Sequence, residues 1–255
     1  MIDPAAFKWP AGQRAAVSLT YDDSLPCHYE TLCPQLESRG QRATFFLCLS
    51  WPGFMNHPAR WREAAAKGHE LGNHTLYHAC RREPPEHFGW LPAEYDLCDY
   101  TVRRWRDEVT LANFILAQVD GKTERTFGNP CGCRTIGRGA NVSSLDPMIG
   151  ELFVAGRHAD VDRLVDPTNP QYPGLGCYGG DGKIFDQLKG RIDEALDAAA
   201  WLILVFHGVG KGTHGLYSEL ADHWQMLDYL AGQRDRIWTA PMIDVAKHLK
   251  SLEPK

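Results

Sequence analysis

Ionisable residues of the types used in metal-assisted hydrolysis follow three apolar, strand-like runs in this sequence. The first run ends in the adjacent carboxylates Asp22 and Asp23, a later run is followed by His74 and His78, and a third continues directly into His207. Carboxylates and imidazoles are common zinc ligands, and the pKa of histidine near neutrality suits acid–base catalysis. These residues together could hold a cation and move protons beside it.

Each feature also has an ordinary structural explanation. The Asp pair could cap a helix N terminus, and His207 could be a hydrogen-bonded structural histidine. His74 and His78 are four residues apart, so on a helical turn they would point the same way and could share one cation, or they could be unrelated surface histidines. Taken together, one carboxylate and two imidazoles leave positions open for water and substrate, so the set favours a catalytic metal site.

Apolar, β-prone runs alternate with segments of helical period along the chain. The pattern predicts strands at residues 15–21, 43–49, 70–73, 126–129, 152–155, 202–206 and 237–239. It predicts helices at residues 27–39, 58–67, 101–119, 184–200, 217–231 and 242–252, with long loops at 128–144 and 167–182. About seven β/α units form either an open doubly wound sheet or a closed barrel, and periodicity alone does not separate the two. Both folds place chemistry at the C-terminal ends of strands.

Composition narrows the class of protein. A chain of 255 residues fits one α/β domain, and its net charge of −5 argues against a nucleic-acid partner. The eight cysteines do not repeat in spacing, which favours reduced, buried thiols. No apolar stretch is long enough to span a bilayer, and residues 1–10 do not resemble a signal peptide, so we expect a cytoplasmic protein.

Three motifs in this order resemble those of the polysaccharide deacetylases, the NodB homology domain of carbohydrate esterase family 4. They are residues 20–23 (TYDD), 74–78 (HTLYH) and 205–207 (VFH), supported by the neighbouring segments 43–47 (ATFFL) and 68–74 (GHELGNH). The resemblance covers roughly residues 17–209 with gaps. It implies a distorted (β/α) barrel of about seven β/α units, forming a single catalytic domain over residues 1–255.

The resemblance also implies a role for each matching residue. Asp22 would be the general base, His207 the general acid that protonates the leaving amine, and Val205 a wall of the pocket for the acetyl methyl group. One divalent metal ion, usually zinc in this family, would be bound by Asp23, His74 and His78.

The third motif of the family, Arg-x-Pro-aromatic-Gly, is altered here to residues 128–132 (GNPCG). Pro130 and Cys131 would still contact substrate, and the backbone N–H of Cys131 could bind the oxyanion. The arginine that normally pairs with the base is absent at Gly128, and its loss would raise the pKa of Asp22 unless another cation replaces it. The candidates are Arg134, Arg138 and Arg157. Residues 157–160 (RHAD), which follow the fifth predicted strand, are the candidate for the fourth motif.

The sequence and this resemblance thus predict a metal-dependent divergent deacetylase acting on an N-acetylated sugar or glycan precursor in carbohydrate metabolism, with cell-surface polysaccharide biosynthesis as an example. Two alternatives remain open. The same fold could hydrolyse a non-sugar amide or an ester, or the protein could bind a metal or sugar without catalysis, as the altered third motif allows. The oligomeric state is not predicted.

Overall fold

A computed structural model describes residues 2–3, 7–158 and 162–254 of the chain. Its main sheet contains eight short strands that are mostly buried, because helices or loops cover both faces. The strands are β1 (Ala15–Asp22), β2 (Thr44–Leu47), β3 (Glu70–Asn73), β4 (Thr126–Gly128), β5 (Ala155–Arg157), β6 (Tyr178–Gly179), β7 (Trp201–Phe206) and β8 (Ile237–Thr239).

The sheet curls into a distorted barrel. Seven strands follow in the order β5-β4-β3-β2-β1-β7-β6, β8 pairs with the first residues of β1, and every pair is parallel. The two edges approach each other where Arg157, at the end of β5, forms a parallel bridge to Leu175 just before β6. This arrangement confirms the predicted distorted (β/α) barrel.

The described residues contain eight α-helices, and all but the last lie between strands in the sequence. They are α1 (Cys33–Ser38), α2 (Pro52–Met55), α3 (Pro58–Ala66), α4 (Val102–Asp120), α5 (Asp146–Leu152), α6 (Phe185–Asp197), α7 (Leu220–Gly232) and α8 (Met242–Ser251). Thr101 caps α4 by accepting a hydrogen bond from the N–H of Arg104, and Gly121 ends it in a left-handed conformation. None of the helices in the described ranges is long and apolar enough to cross a bilayer.

Alternate residues of β1 face two different apolar cores. Val17 and Leu19 pack in the core that contains residues of α1, α3, α4, α6 and α7, whereas Ala16 packs with residues of α8 and the opposite face of β7. Because side chains alternate along a strand, Asp22 belongs to the same face as Ala16. The carboxylate is therefore directed by strand register into the inside of the barrel.

Several predicted segments differ from the structure. Residues 152–155 do not form a strand: helix α5 ends at Leu152 and β5 begins at Ala155, because Pro147 starts a helix whose apolar side chains Met148 and Ile149 are buried. Helix α7 begins at Leu220 rather than 217, because Tyr217–Ser218 pairs with Gly208–Val209 in a short parallel ladder. The segments predicted as loops also contain β6 and a short antiparallel pair, Thr135–Ile136 with Ser143–Ser144.

Candidate metal centre and active site

The adjacent carboxylates at the end of β1 point to different partners because the chain turns between them. Asp22 is the last residue of β1, and Asp23 follows with a positive φ of 79° while its N–H donates to the carbonyl of Phe46 at 3.2 Å. Both side chains are buried, with 3% exposure each. Neither acts as a solvated neighbour of a helix cap.

His74 and His78 lie on a tight turn after β3 and not on a helix, so the helical reason for their proximity was wrong. Thr75 and His78 adopt positive φ values of 67° and 57°, and the Asn73 side chain accepts a hydrogen bond from the Thr75 N–H at 2.8 Å. The buried Glu108 carboxylate accepts from the N–H groups of the next two residues of the turn. The turn brings the two imidazole centroids to 4.9 Å.

Asp23, His74 and His78 together form a set of donors that fits a divalent metal ion. Oδ1 of Asp23 lies 3.2 Å from Nε2 of His78 and 3.5 Å from Nε2 of His74. Two donors bound at about 2.0–2.2 Å to a tetrahedral zinc ion stand about 3.3–3.6 Å apart. Within the described chain, the buried Oδ1 has no hydrogen-bond partner, which is costly unless a cation is bound.

Hydrogen bonding prepares His74 to act as a ligand. Its Nδ1 lies 2.7 Å from the carbonyl oxygen of Gly128, so Nδ1 carries the proton and the Nε2 lone pair faces Asp23. Burial would raise the pKa of Asp23, but the His74 and His78 rings, when they carry a proton at Nε2, outweigh burial and lower the pKa well below its usual value. The carboxylate is thus charged, as a metal ligand must be.

Asp22 forms an ion pair with Arg157, which lies at the end of β5. Both side chains are buried, and the guanidinium carbon of Arg157 lies 4.6 Å from the ring centroid of Phe46. Burial on its own would raise the pKa of Asp22, but the charge of Arg157, with smaller contributions from His74 and His207, outweighs burial and lowers the pKa. The carboxylate is therefore ionised and oriented without the arginine that is absent at Gly128.

The other two candidate arginines lie elsewhere. Arg134 pairs with Asp146, and Arg138 pairs with Asp99 at 2.7 Å. Both arginines are about half exposed, at 45% and 52% of the side chain. Of the three candidates, only Arg157 contacts Asp22 in the described structure.

The altered third motif forms a turn beside the carboxylates. Pro130 is buried in the one-turn helix Pro130–Gly132, and Cys131 has a positive φ of 49°. Asn129 anchors this turn, because its backbone N–H and its side-chain amide both donate to the carbonyl of Arg157, at 3.2 and 2.9 Å. The loop that carries Cys131 is thus attached to the residue that orients Asp22.

His207 follows β7 and is held by an aspartate that the sequence analysis did not identify. Nδ1 of His207 lies 2.6 Å from Oδ2 of Asp181, and the backbone N–H of His207 donates to Oδ1 at 3.0 Å. Burial would lower the pKa of His207, but Asp181 together with Asp22 and Asp23 raises it to about 9. The imidazolium form is thus present at neutral pH, with Nε2 3.8 Å from Oδ2 of Asp23.

A cavity of about 790 Å³ opens over these groups. Trp90 and Leu216 are about half exposed at its wall, whereas Val205 is buried in its floor. The ring of His214 stacks on His207 with centroids 5.3 Å apart, so this loop histidine belongs to the site. The full lining is Asp22, Asp23, Trp51, His74, His78, Phe88, Trp90, Cys131, Gly179, Asp181, Val205, His207, His214, Gly215 and Leu216.

Two positioning residues carried no recognisable sequence signal. Asp181 lies in a Gly-rich loop after β6, and Gly180 is required there because a Cβ atom would lie 2.0 Å from the Phe206 ring. Glu108 lies within α4, where it resembles any polar helical residue. Of the possible fourth motif, Ala159 and Asp160 lie outside the described residues.

Both the sequence and the fold of this chain resemble those of polysaccharide deacetylases. Residues 10–141 match the sequence model of the polysaccharide deacetylase family. A probable polysaccharide deacetylase from Pseudomonas aeruginosa PAO1 is 15% identical with a TM-score of 0.63, covering 97% of this chain and 94% of that one. A putative polysaccharide deacetylase from Mycobacterium smegmatis is 16% identical with a TM-score of 0.61, covering 98% and 96%.

Two further matches are more distant in function or extent. The Puue allantoinase is 16% identical with a TM-score of 0.60, covering 97% of this chain and 94% of that one. A gellan lyase from a Bacillus species is 33% identical over 70 residues, which is 28% of this chain but 3% of the lyase. At these identities the structural matches establish the fold alone.

Proposed function

Since the chain belongs to the polysaccharide deacetylase family, we propose that it is a metal-dependent hydrolase that removes acetyl groups from an N-acetylated sugar or glycan precursor. One observation carries the proposal: the donor atoms of Asp23, His74 and His78 lie within 4.8 Å of one another. On either side of them stand a carboxylate paired with a guanidinium and an imidazolium paired with a carboxylate.

Asp23, His74 and His78 would hold the metal ion. Two imidazole nitrogens and one carboxylate oxygen are a donor set typical of catalytic zinc, so zinc is the metal we propose. A divalent cation at such a site supplies polarisation of the acyl oxygen and a lower pKa for a water molecule. The backbone N–H of Cys131 would donate to the developing oxyanion, and Val205 and Pro130 would enclose the acyl group.

The two proton transfers fall to residues of the chain itself. Oδ1 of Asp22 is engaged by Arg157, so Oδ2 accepts a proton from the attacking water. His207 is charged and held at Nδ1 by Asp181, so Nε2 donates its proton to the departing nitrogen, which is a poor leaving group until protonated. The products are acetate and the free amine.

The wall of the cavity supports a sugar as the substrate. Trp51 stacks on His78 with ring centroids 5.1 Å apart, and Trp90 is 53% exposed at the mouth. Exposed indole faces next to hydrogen-bonding groups bind the apolar faces of sugar rings. A non-sugar amide or ester would use the same carboxylates and histidines, so only substrate tests separate that alternative.

The test measures bound metal and acetate release from N-acetylated sugars, before and after chelation, in the wild type and in Asp23→Ala. We expect about one divalent ion per chain that depends on Asp23 and is lost in the variant, together with chelator-sensitive acetate release that the variant also loses. Metal binding without release of acetate from sugars, but with hydrolysis of a ureide or ester, would support the rival substrate class. Metal binding without hydrolysis of any of these would support a binding protein.

A further inference from the structure

Three cysteine side chains converge beside the candidate metal centre. Cys80 is fully buried two residues after His78, and Cys131 and Cys133 come from the turn after β4. Sγ of Cys80 lies within 4.8 Å of Sγ of Cys131, and the Cys80 thiol also interacts with the Cys133 thiol. Neither Cys80 nor Cys131 forms a disulfide. The proposed chemistry of deacetylation uses none of these sulfur atoms.

The imidazole of His78 connects this thiol cluster to the catalytic residues. A ring nitrogen of His78 and the Sγ atoms of Cys80 and Cys131 all lie within 4.8 Å of one another. Nε2 of His78 faces Asp23 at 3.2 Å, while Nδ1 is buried and has no hydrogen-bond partner in the described part of the chain. Only 5% of His78 is exposed to solvent, so water does not readily supply the missing hydrogen bond to Nδ1.

Nδ1 of His78 differs from Nδ1 of His74, because it has no hydrogen-bond partner among the described residues. A histidine that binds a metal through one nitrogen normally donates the other N–H to a carbonyl or a carboxylate. His74 follows this rule, with Nδ1 2.7 Å from the Gly128 carbonyl oxygen. His78 has two nearby sulfur atoms instead of an oxygen partner.

We propose that the thiols of Cys80 and Cys131 and a ring nitrogen of His78, with the thiol of Cys133 as the fourth donor, form a second cation site that takes a thiophilic ion such as Zn²⁺, Cd²⁺ or Cu⁺. Three sulfurs and one imidazole nitrogen are a familiar tetrahedral set, and thiolates select soft ions over Mg²⁺, Ca²⁺ or Mn²⁺. The site requires neither a sugar substrate nor deacetylase activity. A bound ion would fix the turn that carries Cys131 and the ring of His78. Because His78 is also a ligand of the catalytic metal ion, the second site would help to position that ligand.

Cd²⁺ is the probe, because its bonds to thiolates give an ultraviolet charge-transfer band that its bonds to carboxylate and imidazole do not. The Asp23→Asn variant removes the carboxylate of the catalytic set and leaves the thiols unchanged. We expect this variant, chelator-treated and kept reduced with a phosphine, to bind about one Cd²⁺ per chain and show the band. Adding Cys80→Ser or Cys131→Ser should abolish the band, whereas Cys98→Ser, a buried cysteine outside the cluster, should not.

Circular dichroism melting establishes that each variant is folded before titration. If Cys80→Ser does not fold, Cys131→Ser alone tests the loss of a thiol ligand. A band that persists in both cysteine variants, or its absence from folded Asp23→Asn, overturns the site. So does the loss of two reactive thiols in air that the phosphine restores without metal, because that identifies a disulfide. Failure of the deacetylase proposal leaves the Cd²⁺ result unaffected, so the two outcomes are distinguishable.

Discussion

Replacing Arg157 by methionine tests whether an arginine from β5 keeps the proposed base ionised. The methionine side chain retains much of the arginine's length, so it can still cover the Phe46 ring that the guanidinium approaches at 4.6 Å. What it removes is the positive charge beside Asp22, which is 3% exposed. The variant therefore leaves a buried carboxylate with no guanidinium partner.

Two effects of different size follow from this change. Breaking a buried ion pair by removing one partner costs about 3–5 kcal/mol of folding free energy, unless the remaining carboxylate takes up a proton. Burial is the largest influence on the pKa of Asp22 and acts upward, so without Arg157 the pKa rises. A protonated Asp22 cannot accept a proton from water, and loss of a general base lowers kcat/KM by about 10²–10⁴-fold.

The assay is acetate release as a function of pH, together with thermal melting. Because the defect is protonation, activity of Arg157→Met should recover as pH rises, by about tenfold per pH unit below the new pKa. Arg134→Met is the matched control, because Arg134 is 45% exposed and pairs with Asp146. We expect its folding free energy to change by no more than about 0.5 kcal/mol and its pH–rate profile to be unchanged. An Arg157→Met enzyme whose acidic limb stays at the wild-type pH would refute the reasoning.

Three other perturbations have expected outcomes. Asp23→Ala should lose the ion bound by His74 and His78 and lose activity with it, measured as the drop in metal content by elemental analysis and as acetate release. In Asp181→Asn the pKa of His207 should fall from about 9 because its anionic partner is gone, so the basic limb of the pH–rate profile should move to lower pH. Burial lowers the pKa of His28 to about 4 and of His223 to about 3, from 6.5, so the unfolded chain binds protons that the folded one does not as pH falls below 6.5. Stability should therefore decrease from pH 7 to pH 5 by up to about 2 kcal/mol for each histidine, which thermal melting at both values would measure.

Strand positions and motif order were predictable from the sequence because both have strong local signals. The run from Trp201 to Phe206 is apolar throughout, as a strand buried on both faces must be, and it leads directly to His207. The proximity of His74 and His78 was expected on helical spacing, whereas the structure achieves it with a turn. A spacing of four residues does not distinguish the two conformations, and the polar contacts that hold the turn come from Asn73 and a distant helix.

Residues that act across the sheet were not predictable in the same way. Asp181 and His207 are separated by 26 residues and meet because β6 and β7 are neighbours in register, with Gly179 opposite Val205. A single sequence contains no record of which strands pair or where they pair. An aspartate in a Gly-rich loop therefore looks like a turn residue until the sheet order is known.

The residue that replaces the arginine absent at Gly128 was also not predictable until the strand pairing was known. Gly128 lies directly opposite Arg157 in the parallel ladder between β4 and β5. A Cβ atom at Gly128 would lie 2.7 Å from the ring of Phe46, and that same ring carries the guanidinium of Arg157 on its face. Gly128 leaves room for the Phe46 ring, and this ring supports the guanidinium of Arg157, so the three residues depend on one another. Restoring arginine at residue 128 would displace Phe46 and the guanidinium above it, so Gly128→Arg should impair the base rather than improve it, even though it recreates the usual motif.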